Sequence, residues 1–192
     1  MEDLIKFEYP KQKDRNLYFI EQVDQKSIGA ITKDILEINE YDEYAEKYYA
    51  IHDLTYIRKP IKIYIDSYGG NVYQCFGLIS IMETSKTPIH TIVTGCAMSC
   101  GFMMLIHGHK RFAYELSTVL YHQVSSGVWG PIKDIEAEFI EGRRLQDKLE
   151  EMTLRKTKIT QKKLEKIYNQ KYDWHIPADE ALKLGIVDEI IK

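Results

Sequence analysis

Residues 89–106 read IHTIVTGCAMSCGFMMLI, and this stretch combines a short strand, a tight turn and an apolar helix around one serine. The β-branched run at 89–94 is typical of a buried strand. Small residues follow it as far as Gly101, and the apolar run after them predicts a buried helix. Ser99 is therefore expected at the first turn of that helix, where unpaired backbone N–H groups and the helix dipole would stabilise an oxyanion.

Two interpretations of Ser99 follow from this segment. A nucleophile would occupy such a turn, but serine is also a common helix N-cap. The residue two positions earlier is Ala97, so the strict G-x-S-x-G pattern of a nucleophile elbow is not met. Other segments of the sequence are needed to distinguish a nucleophile from a helix N-cap.

Composition narrows the function classes. A chain of 192 residues predicts one domain, and a net charge of −3 argues against binding of nucleic acid. The apolar runs are shorter than the roughly 20 residues that cross a membrane, and the start MEDL lacks the features of a signal peptide. We therefore expect a cytoplasmic protein without a membrane partner.

The cysteines and histidines predict neither a disulfide bond nor a metal site. Cys75, Cys96 and Cys100 form an odd set without a C-x-x-C pair, which argues against disulfides and zinc ribbons. His107 and His109 lack a partner motif such as H-E-x-x-H and are interpreted as a pair at a strand edge. We expect neither a metal nor a cofactor.

Strands and helices alternate along the whole chain. Strands are predicted at 16–20, 61–65, 89–94, about 111–113, 119–122 and 186–187, and helices at 27–36, 72 to about 84, after Ser99, 131 to about 155, 160 to about 171 and 178–184. The polar, tyrosine-rich stretch at 37–58 either lengthens the first helix or forms a second one, and its part at 39–55 is either a solvated face or a partner surface. This alternation predicts an α/β fold with a mainly parallel sheet.

The helix that begins at Pro131 is unusually long. Its apolar residues recur at helical spacing to about residue 155, which corresponds to roughly 35 Å of helix. A small domain does not need a helix of that length, so part of it should project or pack on a partner.

Three polar features follow three of the predicted strands. A turn with Gly70 ends the first, Ser99 follows the second and His122 ends the third, so parallel strands would bring them to one edge of the sheet. A histidine has a suitable pKa to take the proton of a serine hydroxyl. The N–H groups of Gly70 and Cys100 could stabilise the resulting oxyanion. A nucleophilic Cys100 is a weaker alternative, because the N–H of this residue is needed as a donor to the oxyanion.

These motifs resemble those of ClpP, the proteolytic subunit of Clp proteases. The matching segments are IDSYGG at 65–70, GCAMSCG at 95–101, HQ at 122–123, GVWG at 127–130, DIE at 134–136 and ADEALKLGIVD at 178–188. They occur in the family's order from about residue 16 to the C-terminus. The resemblance implies a ClpP/crotonase-like fold of repeated β-α units in one peptidase domain, 1–192. It also implies an N-terminal segment at about 1–15 and a protruding strand-helix handle at about 123–158.

The resemblance also implies an activity. Ser99 would be the nucleophile and His122 the general base of an ATP-independent serine endopeptidase, with Gly70 and Cys100 as oxyanion donors. Such subunits form a tetradecamer of two stacked seven-membered rings, which cleaves unfolded proteins and peptides. An ATP-dependent unfoldase of the AAA+ class feeds these rings and would dock near Tyr64.

One position departs from the family pattern. Counting back without a gap from 185–188, Asn169 stands where the family has the aspartate that completes the triad. Asp173 is the alternative, because it would share a helix face with Asn169 if that helix persists. It is also open that neither residue completes the triad.

Two other functions remain to be weighed. Asn169, together with Tyr168 where many relatives have arginine, motivates the alternative of a low-activity or regulatory subunit in a mixed ClpP-type assembly. A crotonase-like acyl-CoA enzyme is a third interpretation, but it does not require Ser99 and His122 together.

Overall fold

A computed structural model describes residues 12–192. Its elements in chain order are β1 (Asn16–Phe19), α1 (Gln25–Ile51), β2 (Ile61–Ser67), α2 (Val72–Thr84), β3 (Ile89–Met98), α3 (Cys100–Ile106), β4 (Lys110–Tyr114), β5 (Thr118–Tyr121), α4 (Ile132–Lys156), α5 (Gln161–Gln170), β6 (Trp174–Pro177), α6 (Ala178–Lys183) and β7 (Glu189–Ile191). Most of the predicted N-terminal segment, about 1–15, lies outside the described residues.

The strands form one seven-stranded sheet in which β1, β2, β3, β4 and β7 are neighbours in that order. All of these pairs are parallel, which confirms the predicted α/β fold with a mainly parallel sheet. The long strand β3 divides its hydrogen bonds, pairing with β4 over 90–93 and with β5 over 96–98. The end of β3 is thereby led away from β4 toward β5.

The change of partner coincides with an irregularity between β2 and β3. Their register shifts between Ile65 and Ser67, and the Asp66 side chain accepts a hydrogen bond from the Cys96 N–H at 2.9 Å. At Gly95 an added Cβ would lie 2.7 Å from the Asp66 carboxylate. A glycine is therefore needed where this carboxylate replaces the normal ladder bond.

Helix α1 extends through most of the tyrosine-rich stretch, so that stretch lengthens the first helix. Asp24 caps its N-terminus in a capping box with Ser27. Its first half buries apolar residues at helical spacing against the sheet, namely Ile28, Ile31, Ile35 and Ile38. Its second half is held by a polar network, since the buried Asp42 pairs with Arg15 and accepts a hydrogen bond from Tyr56 at 2.7 Å.

The C-terminal region differs from the prediction in two places. Ile186 and Val187 are buried in a connection, and the final strand is β7, three residues later. Strand β6 was missed, and it is antiparallel to β5, the only such pair among residues 12–192. Gly185 has φ +64 just beyond α6, which confirms it as the residue that closes this helix.

Helix α4 is exposed over the first half of its length. No side chain between residues 131 and 144 is buried, and no strand is present at 122–131, so the predicted handle is a loop and a helix in this chain. Large apolar side chains are exposed along this region, namely Val128, Trp129, Ile132, Ile135, Phe139 and Ile140. Among residues 12–192 no helix has the length and apolarity needed to cross a lipid bilayer.

Candidate active site

Ser99 occupies the junction of β3 and α3 in a strained backbone conformation. Its φ of 53° and ψ of −118° are rare for a residue with a side chain and cost about 1–3 kcal/mol. Ser99 stands at the N-cap position, but its side chain makes no capping hydrogen bond. The capping interpretation is therefore wrong. A strained serine whose hydroxyl does not cap the helix calls for a functional explanation.

Ser99 and His122 line the same pocket. Gly70 and Cys100 also line it, so the ends of β2, β3 and β5 meet as the parallel topology predicted. The wall of the pocket includes the apolar side chains of Val72, Phe102, Met103 and Leu149. An extended peptide could place a side chain against this wall with its backbone beside Ser99.

The Gly69–Gly70 turn passes very close to Ser99. Gly69 has φ +99 and Gly70 has φ +148, and both values favour glycine. A Cβ on Gly69 would lie 2.7 Å from the Cβ of Ser99, and one on Gly70 would lie 2.4 Å from the Val23 carbonyl oxygen. The turn can approach the serine only because both residues lack a side chain.

We expect Gly69→Ala to lower the free energy of unfolding by at least about 1 kcal/mol, because the new methyl group meets backbone at a positive φ. Urea denaturation measures the change. Gly29→Ala is the matched control, since Gly29 lies within α1 and no atom would be within 4 Å of the new Cβ. This control should be more stable by about 0.5–1 kcal/mol. Equal stability of the two variants would contradict the described turn.

Two backbone N–H groups in this region are available to a ligand. Val23 donates to the Gly69 carbonyl at 2.8 Å and accepts from the Asn71 N–H at 2.7 Å, and neither bond uses the N–H of Gly70. Cys100 is the first residue of α3, so its N–H has no acceptor within the helix. A Cβ on Gly69 would lie 3.0 Å from the Cys100 nitrogen, which shows how closely the turn approaches this helix end.

Asp173 lies beside His122 because β6 pairs with β5. The register joins Leu120 to His175 and Tyr121 to Trp174, so the next antiparallel position sets His122 opposite Asp173. The distance between His122 Nδ1 and Asp173 Oδ1 is 3.7 Å, which is longer than a hydrogen bond. A small side-chain movement would close this gap, since 62% of the Asp173 side chain is exposed.

Asn169 does not take this place. It is an exposed residue of α5, and this helix ends at Gln170 with Lys171 in the left-handed conformation. Within residues 12–192 the Asn169 side chain makes no hydrogen bond to His122. The helix does not persist to Asp173, so the condition under which Asp173 would share a helix face with Asn169 is not met.

A buried glutamine, which the sequence did not indicate, supports the segment after His122. Gln146 on α4 accepts a hydrogen bond from the Val124 N–H at 2.8 Å and donates to Glu150 at 2.7 Å. Val124 lines the pocket beside His122. Helix α4 thus contributes to the pocket as well as to the exposed surface.

The cysteines are free thiols with separate environments. The Cys100 thiol is buried and donates to the Gly70 carbonyl at 3.2 Å, so it is not directed at a substrate, although contact with the Cys75 thiol lowers its pKa. The Cys100 thiol and complete burial raise the pKa of Cys75. Burial raises the pKa of Cys96 to about 11.

The two neighbouring histidines have structural contacts. His107 Nδ1 is 2.7 Å from the Met103 carbonyl oxygen, and burial lowers the pKa of His107 to about 4. His109 Nδ1 accepts a hydrogen bond from the Ile89 N–H at 3.0 Å. In the part of the chain that the structure describes, no cluster of three or more His, Cys, Asp or Glu side chains could hold a metal ion.

Comparison with known proteins finds matches along most of the chain. The family model described as Clp protease matches residues 12–192. The ATP-dependent Clp protease proteolytic subunit of Deinococcus radiodurans is 35% identical over 133 residues, which cover 68% of this chain and 64% of that protein. The ATP-dependent Clp protease proteolytic subunit 2 of Treponema pallidum is 30% identical over 166 residues, covering 85% and 79% of the two chains. The chain thus spans slightly less than two thirds of the Deinococcus protein in that match.

Proposed function

Since the chain belongs to the Clp protease family, we propose that it is a serine endopeptidase with Ser99 as nucleophile and His122 as general base. The observation that carries this proposal is the strained, non-capping Ser99 in a pocket shared with His122. We propose Asp173 as the third member of the triad in place of Asn169, on the basis of the 3.7 Å approach of its carboxylate to His122 Nδ1.

The chemistry assigns one task to each group. With Nδ1 facing Asp173, the other nitrogen of His122 is left to take the proton of the Ser99 hydroxyl as it attacks a peptide carbonyl. The charged Asp173 stabilises the imidazolium that forms. The N–H groups of Gly70 and Cys100 are the proposed donors to the oxyanion of the tetrahedral intermediate. None of these steps consumes ATP.

The exposed half of α4 supports the proposal that the subunits assemble. Trp129 is fully exposed and Phe139 is 72% exposed, which is unusual for large apolar side chains on a monomer. We propose that this region joins two seven-membered rings across their contact, as the family resemblance implies. The same exposed side chains would make an isolated subunit prone to association.

A second surface supports the proposed docking of an unfoldase. Tyr18 and Tyr64 are stacked with ring centroids 5.2 Å apart, and Tyr18 is 68% exposed. An exposed aromatic pair on β1 and β2 could receive an apolar loop of a partner. Lys62 on the same strand is exposed and would lie at the rim of such a site.

The proposal is tested by giving the purified protein a fluorogenic peptide and, separately, a fluorophosphonate that acylates activated serines. We expect turnover of the peptide by the protein alone, and mass spectrometry should locate the covalent label on Ser99. A parallel reaction adds a second ClpP-type subunit that carries its own Ser→Ala change. Any turnover in the mixture then arises from Ser99 of the present protein, because the second subunit has no nucleophile.

The other outcomes distinguish the alternatives. Absence of both label and turnover in every mixture would overturn the peptidase proposal. It would favour the regulatory subunit that Asn169 and Tyr168 suggested. Turnover only in the mixture would support a peptidase that requires a partner ring.

A further inference from the structure

The backbone conformation of the Gly69–Gly70 turn has to be fixed by contacts with other residues. Both glycines have positive φ and no side chain, so their peptide groups can rotate at low cost. Rotation would turn the N–H of Gly70 away from the place where it is needed. Hydrogen bonds from other residues are therefore needed to fix the orientation of the two peptide groups that flank Gly70.

The first of these peptide groups is held by backbone. Val23 N–H donates to the carbonyl of Gly69 at 2.8 Å. Because the N–H of a trans peptide points opposite to its carbonyl, this bond turns the N–H of Gly70 away from Val23. Gly69 itself lies against Ser99 and the Cys100 nitrogen.

The second peptide group is held by backbone on one side, where the Asn71 N–H donates to the Val23 carbonyl at 2.7 Å, and by a side chain on the other. The Cys100 thiol donates to the carbonyl of Gly70 at 3.2 Å, and this thiol is shielded because only 2% of Cys100 is exposed. The Cys75 thiol donates in turn to the Cys100 carbonyl at 3.5 Å. The residue whose N–H is one proposed oxyanion donor thus uses its side chain to restrain the residue that supplies the other.

We propose that the Cys100 thiol is a positioning residue that keeps the Gly70 N–H directed at the oxyanion. The inference rests on the proposed peptidase function and adds a role for a side chain that the triad does not use. The thiol acts through its hydrogen bond to the Gly70 carbonyl. Its contribution appears when negative charge develops, so it raises kcat and leaves KM nearly unchanged.

The test compares three variants of the full chain in steady-state hydrolysis of a fluorogenic peptide. Cys100→Ala removes the donor, and we expect kcat to fall about fivefold to tenfold, as the loss of one neutral hydrogen bond implies, with KM within about twofold. Cys100→Ser keeps a donor and should recover most of the loss. Cys96→Ala removes a buried thiol outside the pocket and should match the wild type.

A second measurement follows the oxyanion directly. A peptide boronate forms an anionic tetrahedral adduct with an active serine, and its affinity reports on the oxyanion donors. We expect Cys100→Ala to weaken boronate binding by about the same factor as kcat, and circular dichroism should show an intact fold.

Three outcomes would overturn the inference. Cys100→Ala with wild-type kcat, equal losses in Cys100→Ala and Cys100→Ser, or a loss confined to KM would each show that the thiol does not position Gly70. These results are distinct from failure of the peptidase proposal, in which the wild-type protein neither turns over peptide nor accepts the fluorophosphonate, either alone or mixed with a second ClpP-type subunit.

Discussion

Ser99→Ala is expected to reduce peptide turnover by at least about 10⁴-fold, because it removes the hydroxyl that we propose forms the acyl intermediate. The Cys100 thiol, the nearest alternative nucleophile, is buried and donates to the Gly70 carbonyl. Alanine also removes nothing that α3 needs for capping, since the Ser99 side chain makes no cap hydrogen bond. The measurement is kcat/KM for a fluorogenic peptide, with circular dichroism as the check on folding.

The strained backbone at Ser99 should be equally strained in the alanine variant, so a change in stability is not expected to obscure the effect on turnover. Alanine has the same backbone preferences as serine at φ 53°, so the variant should keep the stability of the wild type to within about 1 kcal/mol. Ser80→Ala is the matched control, because Ser80 is an exposed residue of α2 far along the helix from the pocket. Turnover above about one hundredth of the wild-type rate in Ser99→Ala would show that another residue is the nucleophile.

Asp173→Asn is expected to lower kcat by about 10²- to 10⁴-fold. An amide in place of the carboxylate no longer balances the imidazolium, and in trypsin-like proteases the corresponding change costs about 10⁴. The effect should fall mainly on kcat, since Asp173 faces His122 and is not among the residues that line the pocket. Steady-state kinetics over a range of peptide concentrations separates the two parameters.

Asn169 provides the matched comparison. If Asn169 were the third member of the triad, Asn169→Asp would supply a missing charge and raise turnover. The structure instead predicts turnover within about twofold of the wild type, because Asn169 is an exposed residue of α5 without a contact to His122. Higher turnover in Asn169→Asp, together with an unaffected Asp173→Asn, would reverse the assignment.

The difference between Asn169 and Asp173 illustrates a limit of sequence patterns. A gapless count places the third member in the helix that the pattern at 160–171 predicts. The actual neighbour of His122 depends on β6, a short strand that ends in Pro177 and runs antiparallel to β5. Four residues with one proline carry too little periodicity to predict a strand, and nothing local reveals its antiparallel partner.

The residues of the pocket also divide into those whose position the sequence predicts and those whose position only the tertiary structure reveals. Small residues around Ser99, the glycines after β2 and His122 after β5 are adjacent to strong strand patterns, so their meeting at one edge followed from parallel topology. The backbone angles of Ser99, the bond from Val23 to Gly69 and the thiol of Cys100 against Gly70 involve residues that are distant in sequence. Such contacts carry no periodic signal.

For this protein, the sequence alone determined the α/β class, the order of most elements and the placement of Ser99 and His122 at one edge of the sheet. Hydrophobic periodicity and turn residues predict helices and strands because both signals depend only on residues close together in the sequence. Parallel strands run in the same direction, so the residues that follow them lie at one edge of the sheet. Only the tertiary structure decided that Ser99 does not cap its helix, that Asp173 and not Asn169 faces His122, and that the Cys100 thiol donates to the Gly70 carbonyl. These depend on strand register and close packing, which arise when segments far apart in the chain are brought into contact.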